Sequence, residues 1–124
     1  MVNYLLVGGG GLIGSMLRYW LSGTVAHATR GEFPLGTLVV NVIGCFIIGF
    51  FLTLGYERFA WRPELRLFVA VGILGGFTTF STFSYETIAL FRDGSYFPAV
   101  ANATASLLGC LVATFLGIAL ARKI

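Results

Sequence analysis

The chain has 124 residues, 57% of them hydrophobic and 10% charged, with a net charge of +3 from 8 Lys and Arg against 5 Asp and Glu. Soluble domains carry about 25% charged residues, so this composition does not cover a water-facing surface and points to the lipid bilayer. The positive charges are few and scattered, and no basic run interleaves with exposed aromatics, which argues against a nucleic-acid partner.

Crossing a bilayer core takes about 20 apolar residues per helix. Four stretches supply them, at about 2–22, 35–56, 65–91 and 97–121. The sequence therefore predicts an all-α membrane protein, a single domain of four transmembrane helices over residues 1–124. Residues 1–6 hold no basic residue, and the rest of the chain is just as hydrophobic. The first stretch is thus read as a retained span and not as a cleaved export signal. It contains Gly8 to Gly11 and then Gly14, with Gly10 and Gly14 as a GxxxG packing pair. No strand precedes these glycines and no Lys follows them, so they are not a nucleotide loop. Arg18 lies near the end of the span and has open readings: it snorkels to the interface, ties helices together, or draws anions into a vestibule.

The second stretch places Thr37, Asn41, Gly44 and Cys45 on one helix face. Polar groups within a span are costly and turn toward the bundle. Small residues there also read as close helix packing, but the Asn41 amide needs several partners.

The third stretch is irregular. A glycine pair, Gly75 and Gly76, precedes a run of hydroxyls: Thr78, Thr79, Ser81, Thr82, Ser84 and Thr87. Glycine and β-branched threonine weaken a helix. Two short helices joined by a non-helical break near mid-membrane are expected. The alternative is a continuous helix whose hydroxyls bond their own carbonyls. A break is tolerated where it is buried or lines a polar cavity. Its carbonyls then suit a cation, and the next helix N-terminus suits an anion. Phe80 and Phe83 stand three apart among the hydroxyls, and ring edges are electropositive. They offer an anion a contact weak enough to release, as conduction requires. Glu86 is the one acid deep in an apolar stretch: a proton carrier, a pore-mouth group or a hydrogen-bonding anchor.

The fourth stretch sets Asn102, Ser106, Cys110, Ala113, Thr114 and Gly117 on one face. With the lone histidine at His27 and no CxxC spacing, the cysteines Cys45 and Cys110 do not form a zinc site and read as buried small residues.

Four spans put both termini on one side. That side carries Arg58, Arg62, Arg66, Arg122 and Lys123, and the other carries Arg18, Arg30 and Arg92. The Lys and Arg asymmetry of short loops sets orientation, and here it is weak. Insertion both ways, giving an antiparallel homodimer, and a single orientation with cytoplasmic termini both remain open on charge alone.

The run from Gly75 to Glu86, GGFTTFSTFSYE, resembles the GGxTTFSTFSxE signature of the Fluc (CrcB-type) fluoride channels. Gly36 to Asn41 resembles that family's GTLxxN motif, and Gly11, Gly14 and Arg18 match its GxxGxxxR pattern. The resemblance covers essentially the whole chain. It implies a fluoride-selective passive channel of the bacterial inner membrane that exports cytoplasmic fluoride as a dual-topology homodimer. It implies a structural Na+ on the two-fold axis, held by main-chain oxygens of Gly75 and Thr78 from both copies. It implies a fluoride pathway through Asn41, Phe80, Phe83, Ser81, Thr82, Ser106 and Thr114. Cys110 departs from the Ser/Ser/Thr track usual on the fourth helix, and a thiol donates weakly. With Arg18, Thr37 and Glu86 it is assigned to vestibule or packing. The rival readings are a small dual-topology, proton-coupled multidrug exporter working through Glu86 and a non-transporting assembly subunit. No nucleophile–base pair, metal cluster or phosphate loop suggests an enzyme.

Overall fold

Helix α1 (Val2–Thr29) runs for 28 residues, further than the span expected from sequence. The segment expected as linker from Gly23 stays helical because no proline interrupts it and Gly23 meets open space. Arg30 ends it in the left-handed region, with φ 46°, its N–H donating to the Ala26 carbonyl at 3.1 Å. The computed structural model describes residues 1–124 and contains helices and turns without a strand.

Helix α2 (Leu35–Thr53) follows Pro34 and passes into a π-helical turn, Leu54–Arg58. Trp61 folds back over that turn, its ring 4.5 Å from the Phe51 ring and its backbone N–H donating to the Gly55 carbonyl at 3.1 Å. Helix α3 (residues 63–77) opens with Pro63 at its first turn, where the missing N–H costs nothing. Its central part, Leu67–Leu74, is π-helical, and Gly75–Phe77 returns to α geometry. Helix α4 (Phe80–Arg92) and helix α5 (Tyr96–Lys123) complete the chain.

Glycines set the packing of α1 on α3. A Cβ on Gly10 would stand 2.8 Å from the Gly72 Cα, and one on Gly76 would stand 2.8 Å from the Gly11 carbonyl. Gly14 faces the Ile73 carbonyl in the same way. The backbones therefore touch directly, as small residues allow inside a membrane. Helix α2 packs along α5, where Gly49 lies on the Thr114 backbone and Gly117 on the Phe46 backbone. Helix α4 leans on α5.

The sequence-based break is present, two residues later than the glycines suggest. Gly75 and Gly76 stay helical; Thr78 (φ −82°, ψ 153°) and Thr79 (φ −149°, ψ 113°) are extended. Gly76 is pinned against the Gly11 backbone of α1, whereas β-branched threonines accept extended backbone readily.

The interior is small and mixes apolar residues such as Val40, Leu74 and Phe77 with polar ones. Thr37, Asn41, Thr87, Asn102 and Ser106 are buried, while Leu107, Leu108, Leu111, Val112, Phe115 and Leu116 of α5 face outward. This is the arrangement a bilayer selects, with polar groups turned toward the bundle. Three helical stretches are long and apolar enough to span it: Leu35–Arg58, Pro63–Arg92 and Tyr96–Lys123. α1 has the length, but its glycines with Asn3, Ser15, Arg18, Ser22 and Thr24 leave it less apolar than the other three.

Candidate functional site

The break exposes backbone groups that the helices no longer satisfy, and each partner can be traced. Asn41 on α2 serves Thr79 twice. Its Nδ2 donates to the Thr79 carbonyl at 2.9 Å, and its Oδ1 accepts from the Thr79 N–H at 2.8 Å. One N–H of the amide is left for another acceptor. Arg18 reaches in from α1, its Nε donating to the Gly76 carbonyl at 3.1 Å. Arg18 thus ties α1 to the end of α3, where the helix dipole is negative. The Thr78 N–H and hydroxyl both donate to the Leu74 carbonyl at 3.0 Å. No turn, cap or side-chain bond takes the carbonyls of Gly75 and Thr78.

Thr79 caps α4. Its hydroxyl accepts from the Thr82 N–H at 3.3 Å, donates to the Thr82 hydroxyl at 3.1 Å and lies 3.3 Å from the Ser81 hydroxyl. A negative helix end and a positive helix start therefore meet at Thr78–Thr79.

Two cavities flank this point. One is a groove of about 580 Å³ that gathers Asn41, Gly75, Thr78, Phe80, Phe83, Ser106 and Cys110. The Phe80 and Phe83 rings are 5.3 Å apart at 52°, and Phe80 is 77% exposed. The other is a cavity of about 660 Å³ whose lining includes Thr37, Thr82, Glu86, Glu32 and Asp93. The Thr79–Thr82 bond lies between them, since Thr79 lines the first and Thr82 the second.

The sequence-derived residues divide accordingly. Asn41, Phe80, Phe83 and Ser106 share the groove with Gly75 and Thr78, while Thr82 belongs to the second cavity and Ser81 is exposed at the first turn of α4. Thr114 stands apart from both linings and donates to the Cys45 carbonyl at 3.2 Å, fastening α5 to α2. Thr37 donates to Glu86 Oε1 at 2.9 Å, and Glu86 Oε2 is buried without a partner. Cys110 lines the groove beside Cys45.

Two residues escaped the sequence reading as site members. Thr79 is the hub of the break, and its signal was present as a Thr at the N-cap position of a helix. Thr87 accepts from Asn102 Nδ2 at 2.8 Å and donates to the Phe83 carbonyl at 2.8 Å. Ser106 extends the line with a 3.4 Å bond to Asn102 Oδ1. This buried chain joins the groove wall on α5 to the backbone under Phe83. Only a threonine one turn after Phe83 hinted at it.

Residues 5–118 match the family model described as CrcB-like protein, Camphor Resistance (CrcB). The chain is 46% identical to the fluoride-specific ion channel FluC of Geobacter sulfurreducens, over 100% of both chains. It is 52% identical to the protein of that name from Opitutus terrae, over 94% of this chain and 90% of the relative. It is 49% identical to that of Paramagnetospirillum magneticum, over 94% and 93%.

Proposed function

The chain belongs to the CrcB-like family of fluoride channels, which are not enzymes, and on that premise we propose that it is a fluoride-selective passive channel that exports cytoplasmic fluoride across a bacterial inner membrane. The observation that carries this is the groove. Beside a membrane-helix break it collects two aromatic rings, one amide and the three hydroxyls of Thr78, Thr79 and Ser106, and no positively charged side chain.

Fluoride is small and strongly hydrated, and carrying it bare through an apolar core is prohibitive. The donors along this route replace its water. They are the remaining Asn41 N–H, the Ser81, Thr82 and Ser106 hydroxyls, and the ring edges of Phe80 and Phe83. None holds a full positive charge, so the ion is bound weakly enough to leave. Thr114 supports the route by holding the α2–α5 register.

Two copies inserted in opposite orientations complete the pore. Phe80 projects from a thinly packed bundle, and the weak charge asymmetry of the loops favours neither orientation strongly. The carbonyls of Gly75 and Thr78 fit a structural Na+. They are hard oxygen donors without another partner, next to the negative end of α3. Such an ion supplies a fixed positive charge at the centre of the dimer.

The test is fluoride efflux from liposomes holding the purified protein, with valinomycin relieving charge build-up. Fast fluoride release with no matching chloride release, and no response to a collapsed pH gradient, is the expected result. Release that follows the proton gradient would instead favour a proton-coupled exporter, for which Glu86 with its open oxygen is the natural carrier. No release from folded protein would leave the assembly-subunit reading.

A further inference from the structure

Cys45 sits on α2 and Cys110 on α5, and both thiols are unbridged and half-exposed. The two helices are in backbone contact at Gly49 and Thr114 and again at Gly117 and Phe46. The Thr114 hydroxyl, one turn after Cys110, bonds the Cys45 carbonyl at 3.2 Å and fixes the register that brings the cysteines level. Both line the open groove, so an ion in the groove reaches them without displacing a helix.

We propose that Cys45 and Cys110 together form a two-coordinate site for a soft divalent cation of the mercuric type. Soft thiolates select soft cations. No cluster of three or more His, Cys, Asp or Glu ligands exists in the chain, so zinc, which takes four ligands in structural sites, is not satisfied here. Two ligands suffice for a cation that prefers linear coordination. Charge then selects the valence. Each thiol gives its proton to solvent as its metal–sulfur bond forms. Two thiolates on a monovalent ion leave a net negative charge in a largely apolar groove, whereas two on a divalent ion leave none. The neutral complex avoids the cost of burying charge. No electron is transferred and no other reactant is needed.

Where the groove is the fluoride route, an ion bridging the cysteines plugs it; this consequence rests on the channel reading, and the site itself does not. The test adds mercuric nitrate to the reduced, reductant-free full-length protein in detergent, then labels the remaining thiols with a maleimide and weighs the chain. One equivalent should protect both cysteines and release two protons. Cys45→Ser and Cys110→Ser should each hold mercury about 100-fold or more less tightly against a monothiol competitor, the gain expected of a second tethered ligand. A cysteine still labelled after one equivalent, or a mercury-linked pair of chains on a gel, overturns the site. In liposomes washed with the competitor, mercury should stop efflux by the wild-type chain, and dithiothreitol should restore it. Each serine variant should keep its own untreated rate. If the ion binds as expected and efflux is unchanged, the plugging consequence falls. If no form conducts fluoride, the channel reading falls while the labelling result still decides the site.

Discussion

Asn41 holds both backbone groups of Thr79 through one side chain, so it has a structural role beside the fluoride-binding role proposed for it. Asn41→Ala leaves a carbonyl and an N–H buried without partners, each worth about 1–3 kcal/mol, and should lower the unfolding temperature in detergent as well as stop flux. Asn41→Asp keeps the acceptor for the Thr79 N–H and should cost less stability while still stopping flux. Phe80 and Phe77 make the opposite comparison. Phe80 is 77% exposed and Phe77 is 7% exposed. Phe80→Ile should leave thermal stability within about 0.5 kcal/mol and abolish fluoride efflux. Phe77→Ala should cost about 3–5 kcal/mol by emptying the contact its ring makes with Gly44 of α2. Loss of stability in Phe80→Ile would show that its ring packs within the subunit and does not serve the ion.

At the scale of elements, the break in the third span was legible to within residues 75–79, and which of those residues leave the helix was not. Gly75, Gly76, Thr78 and Thr79 are all weak helix formers, and sequence reasoning places the break among them. The structure keeps the two glycines helical, with Gly76 packed on the Gly11 backbone of α1 and its carbonyl held by Arg18. The irregularity moves to Thr78 and Thr79, where Asn41 supplies the missing bonds. That displacement comes from contacts between α1, α2 and α3, which no local pattern contains. The π-helical stretch Leu67–Leu74 was equally invisible, because hydropathy does not separate it from an α-helix. The polar faces of α2 and α5 were legible, since helical periodicity alone groups them. Three substitutions probe this scale. Gly10→Ala drives a Cβ to 2.8 Å from the Gly72 Cα. Backbone cannot yield there, and overpacking of this kind costs about 1–3 kcal/mol. Gly8→Ala meets open space and should stabilise by up to about 1 kcal/mol through helix propensity. Thr79→Val removes the cap of α4 and should cost about 1 kcal/mol, read as a lower unfolding temperature.

The whole molecule turns its apolar side chains outward and keeps its polar ones within, which composition already implied. Its membrane character and helical class follow from 57% hydrophobic and 10% charged residues. The first helix is the one where length and apolarity part, because its glycines serve packing against α3 and not hydropathy. On the proposed channel reading, an exposed Phe80 over an open groove calls for a second copy to complete the ion route. The purified protein should therefore behave as a dimer in detergent by light scattering, and a stable monomer would contradict the two-copy pore. The central claim is selective fluoride conduction, and the most direct measurement is the reversal potential of the protein in a planar bilayer with fluoride on one side and chloride on the other. The account predicts a large potential of the sign that holds fluoride back, with Phe80→Ile silent. A reversal potential near zero, or one set by the pH difference, would contradict it.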